Sequence, residues 1–109
     1  MEITEETIFK LITYSGAAKS DIFEAFRLCQ DGKYEDAENL MESAKHNLLE
    51  AHNTQTSLIQ QEAGGEQIIV RLLMVHAQDH LMTCILAKEL MSNMMNMQKE
   101  INEIKSKIK

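Results

Sequence analysis

The sequence has no proline and no tryptophan, and only four glycines and two cysteines among 109 residues. Without proline, nothing in the chain forces a helix to kink or stop, and glycine is the only strong punctuation. Cys29 and Cys84 stand too far apart and are too few for a secreted disulfide scaffold or a zinc ribbon. Basic residues are also short, at 11 against 17 acidic ones, giving a net charge of −6. That balance excludes binding of nucleic acid driven by charge, and docking on an anionic lipid surface through basic clusters. The opening Met1-Glu2-Ile3-Thr4-Glu5-Glu6 is acidic and polar where a secretory signal would be basic and then apolar. The expectation is one cytoplasmic domain over residues 1–109, near the small end for a self-sufficient core. The two tyrosines and three phenylalanines all lie within the first 34 residues, which predicts the bulkiest packing there.

Gly32 and the pair Gly64-Gly65 divide the chain into three long segments with helical periodicity. The first helix is expected over about 4–30, with Thr4 as N-cap and Glu5 and Glu6 in the first turn. Its apolar row is Ile8, Ile12, Ser15, Ala18, Ile22, Ala25 and Cys29, and Gly16 inside it need not end it. Gly32 suits a left-handed cap, after which a helix over about 33–62 repeats Tyr34, Ala37, Met41, Ala44, Leu48, Ala51, Gln55 and Leu58. Large and small residues alternate there, so neighbouring helices can approach closely. The third helix is expected over about 66–107, with Lys105 and Lys107 favourably placed at its end. The fold class is therefore all-α, an antiparallel up-down-up three-helix bundle. Gly32-Lys33-Tyr34-Glu35-Asp36-Ala37 resembles a piece of a tetratricopeptide repeat, but it occurs once and makes no array.

The third helix is too apolar for a monomer. At 100° per residue it carries three apolar sectors. Ile68, Leu72, Val75, Met82 and Leu86 form one; Ile69, Leu73, Ala87, Leu90, Met94, Met97, Ile101, Ile104 and Ile108 form the second. Val70, Met74, Ala77, Leu81, Cys84 and Ile85 form the third. A membrane span is disfavoured by Arg71, His76, Asp79 and His80 within the run. Self-association through this helix, with closed symmetry, is the better explanation, and periodicity alone does not fix the number of copies.

The polar group His76-Ala77-Gln78-Asp79-His80 is where chemistry is expected. Asp79 falls in the centre of the first apolar sector, and His76 and His80 lie one turn apart. Copies of Asp79 meeting on a symmetry axis must take up protons or bind a hard divalent cation. Asp79 has two plainer alternatives: a buried device fixing helix register, or a hydrogen-bond acceptor that orients His76. From spacing alone the two histidines read as core residues satisfied by backbone or by Asp79, ahead of catalysis. Zinc is disfavoured because the metalloprotease pattern needs Glu where Ala77 stands, and no third ligand lies nearby. His46 and His52 read as surface or boundary residues, and Met91, Met94, Met95 and Met97 as core or interface filling.

His76-Ala77-Gln78-Asp79-His80-Leu81-Met82-Thr83 resembles the signature of the lactose/cellobiose-type enzyme IIA of the bacterial sugar phosphotransferase system. The stretch Ala51-His52-Asn53-Thr54-Gln55-Thr56-Ser57-Leu58-Ile59-Gln60-Gln61-Glu62-Ala63 resembles the same family, as does Ser15-Gly16-Ala17-Ala18-Lys19-Ser20 in the first half. The resemblance implies a homotrimer assembled through the third helix, His76 as phosphoryl acceptor, and Asp79 from each subunit around an axial divalent cation, magnesium by preference. It implies supporting roles for Gln78 and His80, phospho-HPr as donor and a cysteine of the cognate enzyme IIB as acceptor. No organic cofactor and no nucleic acid are expected, and contact with the membrane only through the enzyme IIC component. The rival readings are a helical adaptor that binds partner helices and, more remotely, a metal-dependent hydrolase.

Overall fold

A computed structural model describes residues 2–108. Three helices account for nearly all of it: α1 (Glu5–Gln30), α2 (Tyr34–Ala63) and α3 (Leu72–Ile108). The Thr4 hydroxyl accepts a hydrogen bond from the Thr7 N–H and satisfies one of the free donors at the start of α1. Gly16 leaves α1 unbroken. At the other end Gly32 adopts φ 78°, a left-handed conformation that glycine enters at no steric cost, and α2 starts two residues later.

The third helix departs from the sequence expectation. It starts at Leu72, not near residue 66. Gly65, at φ 101°, turns the chain, and the β-branched run Ile68-Ile69-Val70 continues extended instead of helical. Ile69 pairs with Glu2 as a single parallel β-bridge, the Glu2 carboxylate meets the Arg71 guanidinium, and Ile3 packs against the core. Backbone pairing with the start of the chain thus takes residues that periodicity alone assigns to a helix.

The core follows the apolar rows closely. α1 buries Ile8, Leu11, Ser15, Ala18, Ile22, Ala25 and Cys29, so Leu11 takes the place expected for Ile12, which is half-buried. α2 contributes Ala37, Ala44, Leu48, Ala51 and Gln55, and α3 contributes Met74, Ala77, Leu81, Cys84 and Met95. The alanines of α2 bring its backbone close to α1, and α2 and α3 touch each other far less. The expectation of bulky packing in the first third is met in part, since Tyr14, Phe26 and Tyr34 are half-buried against the core clusters. Phe9 and Phe23 are 52% and 48% exposed, and the largest fully buried side chains are aliphatic or small. Small residues line the α1–α2 contact, and Phe9 and Phe23 lie on the outer flank.

Leu81 is fully buried and belongs to the main core cluster. Leu81→Ala is expected to lower unfolding free energy by about 2–5 kcal/mol in urea titrations. Gly16 is exposed inside a helix with nothing within 4 Å of an added Cβ. Gly16→Ala is expected to raise stability by about 0.5–1 kcal/mol in the same assay.

Candidate functional site

His76 and His80 project from consecutive turns of α3, and their rings meet edge to face with centroids 4.5 Å apart. The His80 Nε2 and His76 Nε2 atoms lie 3.0 Å from each other, a hydrogen-bond distance. Such a bond requires one Nε2 to carry the proton and the other to offer its lone pair, so the two rings adopt complementary tautomers. His76 is exposed and His80 half-buried. Neither is a core residue, and the acceptor alternative for Asp79 is not realised, since His76 is held by His80.

Asp79 is also exposed. Only its backbone carbonyl has a partner, the Thr83 hydroxyl, at 2.7 Å, and its carboxylate bonds to no other described residue. Its row consists of Leu72, Val75, Met82, Leu86, Leu90, Met94, Met97, Ile101, Ile104 and Ile108, all of them exposed and from 42% to 85% accessible. The steps along this row are three or four residues and average about 3.6, so the stripe runs straight along the helix. An isolated carboxylate interrupts this stripe near its N-terminal end. Among the described residues no three His, Cys, Asp or Glu side chains cluster around a point. One chain alone therefore supplies a single carboxylate ligand at this position.

Gln78 is turned away from the histidines. Two residues along a helix are about 200° apart, so Gln78 faces the α2 side of α3 while His76 faces outward. Its Oε1 is buried without a hydrogen-bond partner among the described residues. It lines an apolar cleft of about 240 Å³ together with Ile3, Gln55, Leu58, Ile59, Ile68, Val70, Met74 and Val75, with Glu62 also on the wall. Within one chain the structure brings His76 and His80 together and leaves Gln78 on the opposite flank. Gln55, which the sequence reading treated only as part of a helical row, is 7% exposed, and its Nε2 reaches the Met82 Sδ at 3.7 Å. The signal available in sequence was an amide at a core position of an otherwise apolar row.

The remaining candidates sort by exposure. His46 and His52 are exposed on α2, as expected. Met95 is buried at 5%, Met91 is half-buried, and Met94 and Met97 are exposed at 42% and 60%. Both cysteines are buried and unpaired, and burial pushes each thiol above its usual range, with Lys99 near Cys29 and Lys19 near Cys84 opposing it weakly. Their Sγ–H groups are spent on backbone carbonyls, Cys84 on Ser15 O at 3.3 Å and Cys29 on Met95 O at 3.5 Å. No described helix is long and apolar enough to cross a membrane.

Residues 6–99 match the family model described as the lactose/cellobiose-specific IIA subunit of the PTS system. A lactose-specific EIIA component of Staphylococcus epidermidis is 40% identical over 92 residues, covering 84% of this chain and 88% of the relative. The lichenan-specific phosphotransferase enzyme IIA component of Bacillus subtilis is 39% identical, covering 94% and 93%. Among solved structures, the cellobiose-specific enzyme IIA from Bacillus anthracis superposes with TM-score 0.88 at 41% identity, covering 93% of this chain and 94% of that one. A IIA(Chitobiose) chain in complex with HPr from the Escherichia coli phosphotransferase system superposes with TM-score 0.78 at 37% identity, covering 90% and 95%.

A thiol that stays protonated above its ordinary range reacts slowly with disulfide reagents. Neither Cys29 nor Cys84 is expected to react with such a reagent near pH 8 in the native protein, and both react on unfolding in urea. Rapid native labelling would contradict the buried, carbonyl-bonded geometry.

Proposed function

Because the chain belongs to the lactose/cellobiose-specific IIA family of the sugar phosphotransferase system, we propose that it is a phosphoryl carrier acting through His76. The observation that carries this reading is the exposed His76–His80 pair joined Nε2 to Nε2 at 3.0 Å. With the proton on His80, the His76 Nε2 keeps its lone pair and serves as the nucleophile. That lone pair attacks the phosphorus of a phosphohistidine on phospho-HPr. The new bond forms on His76 as the donor's P–N bond breaks, and the donor nitrogen regains its electron pair. The Nε2–H of His80 then turns from the ring nitrogen to a phosphoryl oxygen. A cysteine thiolate of the cognate enzyme IIB reverses the geometry, forming a P–S bond as the His76 P–N bond breaks. Positioning carries most of such a transfer, because the loose transition state asks for in-line alignment more than for covalent help. Sugar is handled elsewhere in the system, a β-linked disaccharide or β-glucoside in keeping with the family, and the chain works as a cytoplasmic protein.

Assembly as a homotrimer belongs to the same proposal. In the up-down-up course, α1 and α2 run antiparallel, supported by the Ser43–Asp21 hydrogen bond, and α3 returns alongside α1, supported by Cys84–Ser15 and Asn102–Cys29. Only the Met74, Ala77, Leu81, Cys84 sector of α3 is covered by its own chain. The other two sectors are uncovered, and two different apolar flanks suit a closed ring, in which each copy meets two neighbours through unlike surfaces. In that ring the Asp79 side chains converge on the axis. A lone carboxylate without a partner fits a shared divalent cation, magnesium by preference, which would offset two of the three charges. Gln78, on the flank opposite His76, then serves the His76 of a neighbouring copy instead of its own.

Incubation with phosphoenolpyruvate, enzyme I and HPr is expected to add one phosphate to the intact mass, stable in alkali, lost in acid and absent from His76→Ala. No increment, in a mixture where HPr itself is phosphorylated, would sink the carrier reading and favour the helical adaptor. Asp79→Leu is expected to keep the oligomer and abolish metal binding, since apolar replacement of buried charge is commonly neutral or stabilising. Sedimentation and metal analysis check it, and loss of the oligomer at unchanged helicity would assign the metal site a role in assembly.

A further inference from the structure

His76 and His80 offer two ring nitrogens to the same point from one rigid helix. One turn apart on α3, they hold their Nε2 atoms 3.0 Å from each other with the rings crossed at 79°. Neutral imidazole is the commonest protein ligand of metals. The spacing itself is selective. With metal–nitrogen bonds of about 2.0–2.1 Å, two ligands at a right angle stand about 2.9 Å apart, and at the tetrahedral angle about 3.3–3.4 Å apart. The observed separation matches the right angle, the cis edge of a square-planar or octahedral ion. Tetragonal sites of nitrogen and oxygen belong to Cu(II) and Ni(II), and Cu(II) binds most tightly in the divalent series.

The surroundings give such an ion room. His76 is exposed and His80 half-buried, so the rings can turn until both lone pairs aim at one position, with water at the remaining coordination sites. Among the described residues no third His, Cys, Asp or Glu side chain joins them. A closed structural zinc site takes four protein ligands, so two nitrogens completed by water suit a tetragonal ion better. In the hydrogen-bonded pair one ring holds its proton on Nε2. Coordination through both Nε2 atoms moves that proton to Nδ1 of the same ring, a change of tautomer with no net proton release. Magnesium takes oxygen ligands, which separates this site chemically from the Asp79 carboxylate.

We propose that His76 and His80 form a two-nitrogen chelate for Cu(II), with Ni(II) as the weaker occupant, and that the chelated ion competes with phosphoryl transfer. The competition rests on the carrier reading of His76; the chelate itself does not. The electron pair on His76 Nε2 that attacks phosphorus is the pair the metal takes. A metal-bound chain therefore accepts no phosphate, and a chain phosphorylated on His76 has lost one of its two nitrogen ligands. Free Cu(II) is thus an inhibitor that acts at the nucleophile.

The test titrates Cu(II) alone into the full chain and reads the bound metal and its nitrogen hyperfine pattern by electron paramagnetic resonance. The variants are His76→Gln and His80→Gln, and the control is His46→Gln combined with His52→Gln, which removes the other two histidines. The expected result is one Cu(II) per chain held by two imidazoles. Either His76→Gln or His80→Gln lowers the affinity about tenfold or more, because two ligands on one scaffold bind far more tightly than one, and the control leaves it unchanged. Equal affinity in all chains, or a pattern from a single nitrogen, overturns the chelate. A measurement on the unmodified chain guards against variants that fold poorly: Cu(II) is expected to raise the urea midpoint, since the paired geometry exists only in the folded helix. An unmoved midpoint overturns the chelate as well. Phosphorylation of His76 through phosphoenolpyruvate, enzyme I and HPr is expected to remove the two-nitrogen pattern, and its retention overturns the competition. If His76 takes no phosphate with Cu(II) absent, the carrier reading and the competition fall together, while the chelate is still decided by the resonance pattern.

Discussion

The structure is governed by one imbalance: α3 has apolar side chains on nearly every side, and a three-helix chain can cover only one of its faces. α1 and α2 bury the row from Met74 through Ala77, Leu81 and Cys84 to Met95, and they have no surface left for the rest. A stripe from Leu72 to Ile108 is left in water, with Leu73 exposed beside it. Uncovered apolar area of that extent is characteristic of association surfaces. The polar residues of α3 take their meaning from this setting. Asp79 interrupts the uncovered stripe, Gln78 faces the α2 cleft, and the two histidines stand on the shoulder next to α1.

The placement of the histidines accounts for their chemistry. On a rigid helix, side chains one turn apart are held in a fixed relation, and here the fixed relation is a shared proton between two Nε2 atoms. In the proposed carrier role, a nucleophile reached by two different proteins in turn cannot sit in a deep pocket. It needs an exposed ring with a nearby donor and an apolar surround that a partner can seal. The α3 shoulder meets these requirements without a loop or lid. The thiols of Cys29 and Cys84 are buried, apart from the exposed His76 ring.

Small residues set the arrangement of the helices. Alanines at positions 37, 44 and 51 of α2 and 18 and 25 of α1 are fully buried and let those two backbones come close. Composition, with all five aromatics in the first third, does not tell which of them are core: Tyr14, Phe26 and Tyr34 pack half-buried against it, whereas Phe9 and Phe23 are exposed. Their exposure follows from helix phase: Phe9 and Phe23 lie about 100° from the row that begins at Ile8 and runs through Ser15 and Ile22. Likewise the extended course of residues 66–71 depends on pairing with Glu2, a contact between chain positions 67 residues apart that no local pattern encodes.

Periodicity and glycine punctuation were enough to read three helices, the two turns, the Thr4 cap and the buried rows, because each depends on residues within a few positions of one another. The excess apolar surface of α3 and the polar island at residues 76–80 were legible for the same reason. Tertiary structure decided the rest. It chose Leu11 over Ile12 for the core, delayed α3 to Leu72, placed Phe9 and Phe23 outside and turned Gln78 to the flank opposite His76. Each of these depends on which neighbour occupies a given side of a helix, and a helical repeat fixes the angle between two residues on one helix without fixing what stands opposite either of them.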